Sequence, residues 1–193
     1  MKTRLAPLVL VLTGLWGDAL ASPAAHRSDV VDTSIASPGD DRILRESIVI
    51  AAPREKVWTA FATTEGLRAW EAPVVTIDLK VGGFLEDSYD PKARIGDRNN
   101  IKNEILGFLP GELLILRNTQ APADFKYADL YGRVTTIIQF EDAGPGRTRL
   151  IISGVGFGAG SGFDALYAFF HAGNAYELKL LKAHLEGGPP PAE

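Results

Sequence analysis

Apolar and polar positions alternate from Ile43 to Ala51 (ILRESIVIA), a stretch rich in β-branched residues, which predicts a strand. Pro53 then opens REKVWTAFA, where Val57, Trp58 and Phe61 fall at helical spacing on one apolar stripe. Proline suits the first turn of a helix because that N–H has no intrahelical acceptor. A second short helix is predicted from Thr64, its expected cap, to Trp70, with Pro73 closing it. Val74 to Leu79 returns to strand, and Gly82-Gly83 marks a turn. Strand patterns follow at Phe84 to Tyr89, Asn100 to Phe108, Glu112 to Asn118, Tyr131 to Glu141 and Arg147 to Val155. In the first of these, Phe84, Glu86 and Ser88 share one face. After the glycine-dense run from Gly156 to Gly162 the period becomes helical to Glu186. Phe163, Leu166, Tyr167, Phe170, Asn174, Leu178, Leu181 and Leu185 form its stripe.

Strands in direct succession pair as antiparallel hairpins, and a long one-sided helix must bury its stripe on the resulting sheet. The expected fold is α+β: a curved antiparallel sheet of about six to seven strands around the C-terminal helix, with two short helices after the first strand. This is the helix-grip arrangement, and it leaves concave space between helix and sheet.

The ends read differently. Lys2 and Arg4 precede an apolar run from Leu5 to Trp16, and Ala19-Leu20-Ala21 has the small-x-small pattern of a signal peptidase site. That run is shorter than the ~20 residues a membrane span needs. Residues 1–21 are therefore expected to be a cleaved signal peptide, with no stable membrane anchor and a periplasmic or extracellular product. Residues 22–42 read as a flexible tether, 43–186 as the domain, and 187–193, opening Gly-Gly-Pro-Pro-Pro, as a tail.

Composition narrows the chemistry. The chain has 193 residues, 46% hydrophobic and 23% charged, with a formal net charge of −4. A weakly acidic chain without a basic run is a poor nucleic-acid binder. It has no Cys and three His, scattered at His26, His171 and His184, so no metal site is expected. No nucleophile elbow is present: in Gly160-Ser161-Gly162 the flanking glycine positions hold Ala159 and Phe163. Gly154 to Ala159 reads G-x-G-x-x-A, but no helix opens there and no strand follows the next one, so no dinucleotide cofactor is expected.

Several stretches resemble the START-like SRPBCC superfamily. Glu46 to Phe61 (ESIVIAAPREKVWTAF) is similar to its opening strand and helix, with an Ala-Pro and a Val-Trp pair. Val81-Gly82-Gly83-Phe84 with Glu86-Asp87 resembles its Gly-Gly-aromatic element. Gly132 to Glu141, Gly146 to Leu150 and Leu181 to Glu186 fit the end of the pattern. Within the superfamily the likeness is to the activator of heat-shock-protein-90 ATPase homologue group. It covers residues 43–186 and implies a helix-grip fold with a pocket for an apolar or amphipathic small molecule. Members include ligand carriers, polyketide cyclase-like and dehydratase enzymes, and co-chaperones, so fold membership alone decides no activity. Where the group often carries Gly-Trp on the last helix, this chain has Gly173-Asn174.

The candidate site follows from polar residues set among apolar ones. Asn174 interrupts the helical stripe, and a buried amide needs a partner, either in a ligand or in the protein. Glu86 is expected to face the pocket as a second polar anchor. Tyr89, Asn103 and Asn118 are further polar candidates, and Phe157, Phe163, Tyr167 and Phe170 supply aromatic wall. His171 flanks the stripe and reads as a rim residue. Three readings stay open: a binding protein for a small lipophilic or amphipathic molecule, a cofactor-free cyclase or dehydratase in the same cavity, and a chaperone-like module. Binding without catalysis is the leading one, and no protein partner is specified.

Overall fold

The computed structural model describes residues 29–35 and 42–191. The expected signal peptide lies outside the described residues. Strands β1 (Val31–Asp32), β2 (Arg42–Ile50), β3 (Val74–Ile77), β4 (Phe84–Ser88), β5 (Ile101–Leu109), β6 (Leu113–Gln120), β7 (Thr135–Asp142) and β8 (Thr148–Phe157) form one sheet. Its order is β1-β2-β8-β7-β6-β5-β4-β3, and every neighbouring pair is antiparallel. Helices α1 (Arg54–Ala62) and α2 (Thr64–Arg68) follow β2, α3 (Ala128–Tyr131) lies between β6 and β7, and α4 (Ser161–Glu186) closes the chain. The fold is the expected α+β helix-grip, with eight strands instead of six to seven.

Two additions account for the difference in detail. β1 comes from the segment expected to be free tether: Val31 and Asp32 pair with Ser47 and Glu46, and Ile35 bridges Ile43. It is two residues long and carries little apolar signal, so its pairing depends on the exposed edge of β2 rather than on its own pattern. Tyr131, expected to start a strand, instead ends the one-turn helix α3, and β7 begins at Thr135. The cap of α2 is Thr63, one residue before the expected Thr64. Its Oγ1 accepts the Gly66 N–H at 3.0 Å, while Thr64 Oγ1 accepts from Ile77 N at 3.2 Å and ties the helix to β3.

The sheet curls because β5 is bulged against β6 at Lys102/Asn103 and again between Ile105 and Gly107, and β2 is bulged at Arg42/Ile43. On its concave face β2 presents Leu44, Ile48 and Ile50, all buried. The main core joins Ile48 and Ile50 with Phe61, Ile105, Leu114, Phe140, Leu178 and Leu181. A second cluster of Leu44, Val134, Phe157, Phe163 and Leu166 packs at the N-terminal end of α4. α4 is therefore dry at both ends: Phe163 and Leu166 are buried in one cluster, and Leu178, Leu181 and Leu185 in the other. Gly187, at φ 73, ends it in the left-handed conformation that glycine adopts without strain. Among the described residues, no helix is long and apolar enough to cross a membrane.

Candidate functional site

Between its two dry ends α4 turns a different surface to the sheet. Phe170, Asn174 and Glu177 lie one helical turn apart and line a cavity of about 170 Å³. The sheet side is Leu44, Leu116, Thr136, Ile138, Ile152 and Gly154, and Phe61 and Trp70 close the end near α1 and α2. Trp70 is fixed there by its indole N–H, which donates to Ala60 O at 3.0 Å, and by an edge contact to Phe61. Gly154 keeps the wall thin: a Cβ there would meet the Phe157 ring at 2.8 Å.

The polar lining is acidic and phenolic. Glu71, three residues beyond α2, Glu177 on α4, and Tyr89, Tyr131 and Asn103 all border the cavity, and among the described residues no Lys, Arg or His does. Glu177 Oε1 accepts from the Tyr89 hydroxyl at 3.4 Å, and the Tyr131 hydroxyl donates to Asn103 Oδ1 at 3.4 Å. Tyr89 is 57% exposed, so the cavity reaches the surface beside it. Oε2 of Glu71 and Oε2 of Glu177 are buried with no hydrogen-bond partner. Asp87, 3% exposed on β4, stands behind them.

Three carboxyls enclosed together cannot all ionise cheaply. Burial, then the neighbouring Asp87 and Glu177 charges, push the Glu71 carboxyl well up. Burial, then Glu177 and Glu86, do the same to Asp87. Burial raises Glu177 too, partly offset by the Tyr89 hydroxyl. The Tyr131 hydroxyl, and the Tyr89 hydroxyl that turns in to Glu177 while the rest of its side chain is exposed, are raised by burial and then by these same acids, so both stay protonated donors. All three carboxyls are thus shifted upward, with burial as the largest cause of each.

Asn174 lines the cavity, and its amide lies beside Glu46 of β2, whose charged form it favours. Glu46 is 1% exposed, and burial pushes its carboxyl up to about 7 against the opposing effect of His171. His171 Nε2 lies 3.1 Å from Asp32 Oδ2 and 3.9 Å from Glu46 Oε1. It is a rim residue that holds β1 against α4.

Glu86 requires a correction. It is buried, but it faces away from the cavity. Gly96 N and Asn100 Nδ2 donate to its Oε1, and Lys102 Nζ sits 3.3 Å from Oε2. Burial alone would raise its pKa; the bonds from Asn100, Gly96 and Lys102 together outweigh that and hold it low. Side chains alternate along a strand, so the inward residues of β4 are Leu85 and Asp87. Glu86 fastens the loop between β4 and β5.

The other candidates divide. Tyr89, Asn103, Phe157, Phe170 and Asn174 line the cavity. Asn118 lies behind Asn103, donating to Lys102 O, Asn103 Oδ1 and Gln120 O. Phe163 and Tyr167 pack in the cluster at the start of α4 and do not line the cavity. Within the glycine run Phe157 borders the cavity and the glycines do not: Gly158 O accepts from Arg42, and a Cβ on Gly158 would meet the Phe163 ring at 2.8 Å. Glu71, Glu177, Tyr131 and Trp70 also line the cavity, with Asp87 behind the acids, and no sequence motif marks them as site residues. Glu177 had a signal, since it lies three residues after Asn174 and four before Leu181 on the same stripe. Glu71 had none, because the loop after α2 reaches the cavity only through tertiary packing.

A curved antiparallel sheet closed over a mixed-lining cavity by one long helix defines the START-like helix-grip class. Residues 51–186 match the family of activator of Hsp90 ATPase homolog 1-like proteins, and the chain belongs to that family. Solved structures share the fold at low identity. The Aha1 dimer protein from Colwellia psychrerythraea is 18% identical over 76% of this chain and 97% of its own, with a TM-score of 0.59. EF2215, a conserved protein of unknown function from Enterococcus faecalis, is 17% identical over 84% and 80%, at 0.57. CalU16 from Micromonospora echinospora is 18% identical over 84% and 86%, at 0.56. No curated protein matches the chain. Identities this low establish the fold and leave the ligand open.

Proposed function

We propose that this protein is an exported binding protein that holds a small amphipathic molecule in the cavity between α4 and the sheet. One observation carries the reading. The stripe of α4 packs dry at both ends and opens in the middle onto a cavity walled by aromatic rings with polar groups at fixed positions. A helix needed only for stability would continue its apolar stripe through Asn174 and Glu177. Export is supported by the leader pattern at residues 1–21.

Native mass spectrometry of the protein from its own host tests both parts. The expected result is a chain beginning at Ser22 with a bound small molecule, and loss of that molecule in Asn174→Trp, whose indole would occupy the cavity. An unchanged complement of bound molecule in a folded Asn174→Trp protein would contradict the reading.

A second reading, a cofactor-free cyclase or dehydratase, is favoured by Glu71 and Glu177, whose raised pKa values suit general acids inside a cavity. It predicts that the co-purified molecule changes mass on incubation and that Glu177→Gln stops the change while binding persists. The chaperone-like alternative ranks behind both, because an exported chain does not meet a cytosolic ATPase.

A further inference from the structure

We propose that the cavity is selective for organic cations: a ligand with an ammonium head, carried on an aryl or short alkyl body, set against Glu71 and Glu177. The inference rests on the reading of the cavity as a ligand site and adds the chemistry of its occupant.

Three observations point the same way. Glu71 Oε2 and Glu177 Oε2 are enclosed acceptors with no donor from the protein. Burying an acceptor unpaired is unfavourable, so a ligand that brings donors gains more here than at a satisfied site. Among the described residues no Lys, Arg or His lines the cavity to compete for these oxygens. An ammonium head is donor-only and carries three N–H groups, enough to reach both carboxyls, whereas a hydroxyl brings one and a carboxylate none. Finally, the walls include Trp70, Phe61, Phe170 and Tyr131, whose ring faces favour a cation.

Size and geometry narrow the class. A cavity of about 170 Å³ is close to the ~150 Å³ that accommodates one benzene ring in an engineered core. The body is therefore one ring or a short chain. The aromatic walls beside the two acids suit a cation carried on an organic body.

Proton linkage gives the selectivity a signature. The groups facing the head are Glu71 beyond α2, Tyr89 after β4, Tyr131 on α3 and Glu177 on α4, with Asp87 of β4 behind the two acids. Glu46 of β2 lies behind Asn174. An ammonium head must displace protons from the carboxyls, so its affinity tightens as pH rises, while a neutral head shows no such gain.

Benzylamine, benzyl alcohol and benzoate test this on the full chain by calorimetric titration with amide-shift mapping at about pH 6 and about pH 8. The expected result is benzylamine bound about tenfold or more tighter than either analogue at the higher pH, the worth of one charge-assisted hydrogen bond. Shifts should centre on Gly154, Phe170 and Asn174. That preference should shrink in Glu71→Gln and in Glu177→Gln, two near-isosteric variants on different elements, so that one folding poorly leaves the other informative. Equal or tighter binding of benzyl alcohol or benzoate at the same residues would overturn the cation preference and leave the cavity as a ligand site. Failure of all three probes to shift cavity residues would overturn the proposal. Retention of the host's own molecule in the native mass spectrum would show whether the broader reading survives it.

Discussion

Glu86 and Asp87 are neighbours on β4, both almost fully buried, and their carboxyls live in opposite conditions. Glu86 looks out of the cavity into a loop that supplies a backbone N–H, an amide and an ammonium. Asp87 looks inward toward Glu71 and Glu177, where like charges and burial meet it. The first is a structural fastening, in which the protein has satisfied its own acceptor. The second belongs to a region where buried acceptors are left open. A buried carboxyl is informative about function only when its partners are counted, since burial is the same for both.

The largest expected effect breaks the fastened side. Glu86→Leu strands the Gly96 N–H and the Asn100 amide and should cost about 3 kcal/mol, read as a drop in the urea midpoint at unchanged slope. A loss below about 1 kcal/mol would mean the loop finds other partners.

The inward side predicts the opposite sign. The Asp87 pKa is raised in the folded protein, so its favourable contribution is complete below about 3.8 and is lost as pH rises toward about 7. Asp87→Asn should therefore stabilise the protein by about 1 kcal/mol at about pH 8 and change little at about pH 4. Glu46, raised from 4.5 to about 7, acts in the same window. Glu86 and Glu186 have lowered pKa values, and their contributions are lost as pH falls below the ordinary carboxylate range. Together these signs place the thermal stability maximum of the wild type on the acid side, at about pH 5. A melting temperature that climbs steadily from about pH 5 to about pH 8 would contradict the assignment.

The smallest effect sharpens the comparison. Lys102 is 30% exposed and 3.3 Å from Glu86, so Lys102→Met should cost less than about 1 kcal/mol and fade with added salt. The amide and N–H partners of Glu86, not its ion pair, would then be the main support.

Much of this architecture was legible in the chain itself. The alternating stretches, the Pro-opened α1 and the stripe from Phe163 to Leu185 are periodic signals, and the helix-grip follows from their order. What escaped depends on tertiary pairing. β1 has two residues and no pattern of its own, and α3 is a single turn. In β4 three consecutive buried positions, Leu85, Glu86 and Asp87, hide which face is inward, because the loop from residues 89–100 covers the outer side. Asn174 was legible as a break in an apolar stripe. Glu177 shared that stripe and was passed over, and Glu71 reaches the cavity from a loop whose place no local pattern reveals.

The most direct test is a ¹³C titration of the side-chain carboxyls in the ligand-free protein. The expected result is that Glu71, Asp87 and Glu177 titrate above the ordinary carboxylate range, Asp87 at about 7, while Glu86 titrates below it. Ordinary carboxylate midpoints for all four would contradict the contrast between the two faces of β4, and with it the cavity as a site left open for a ligand.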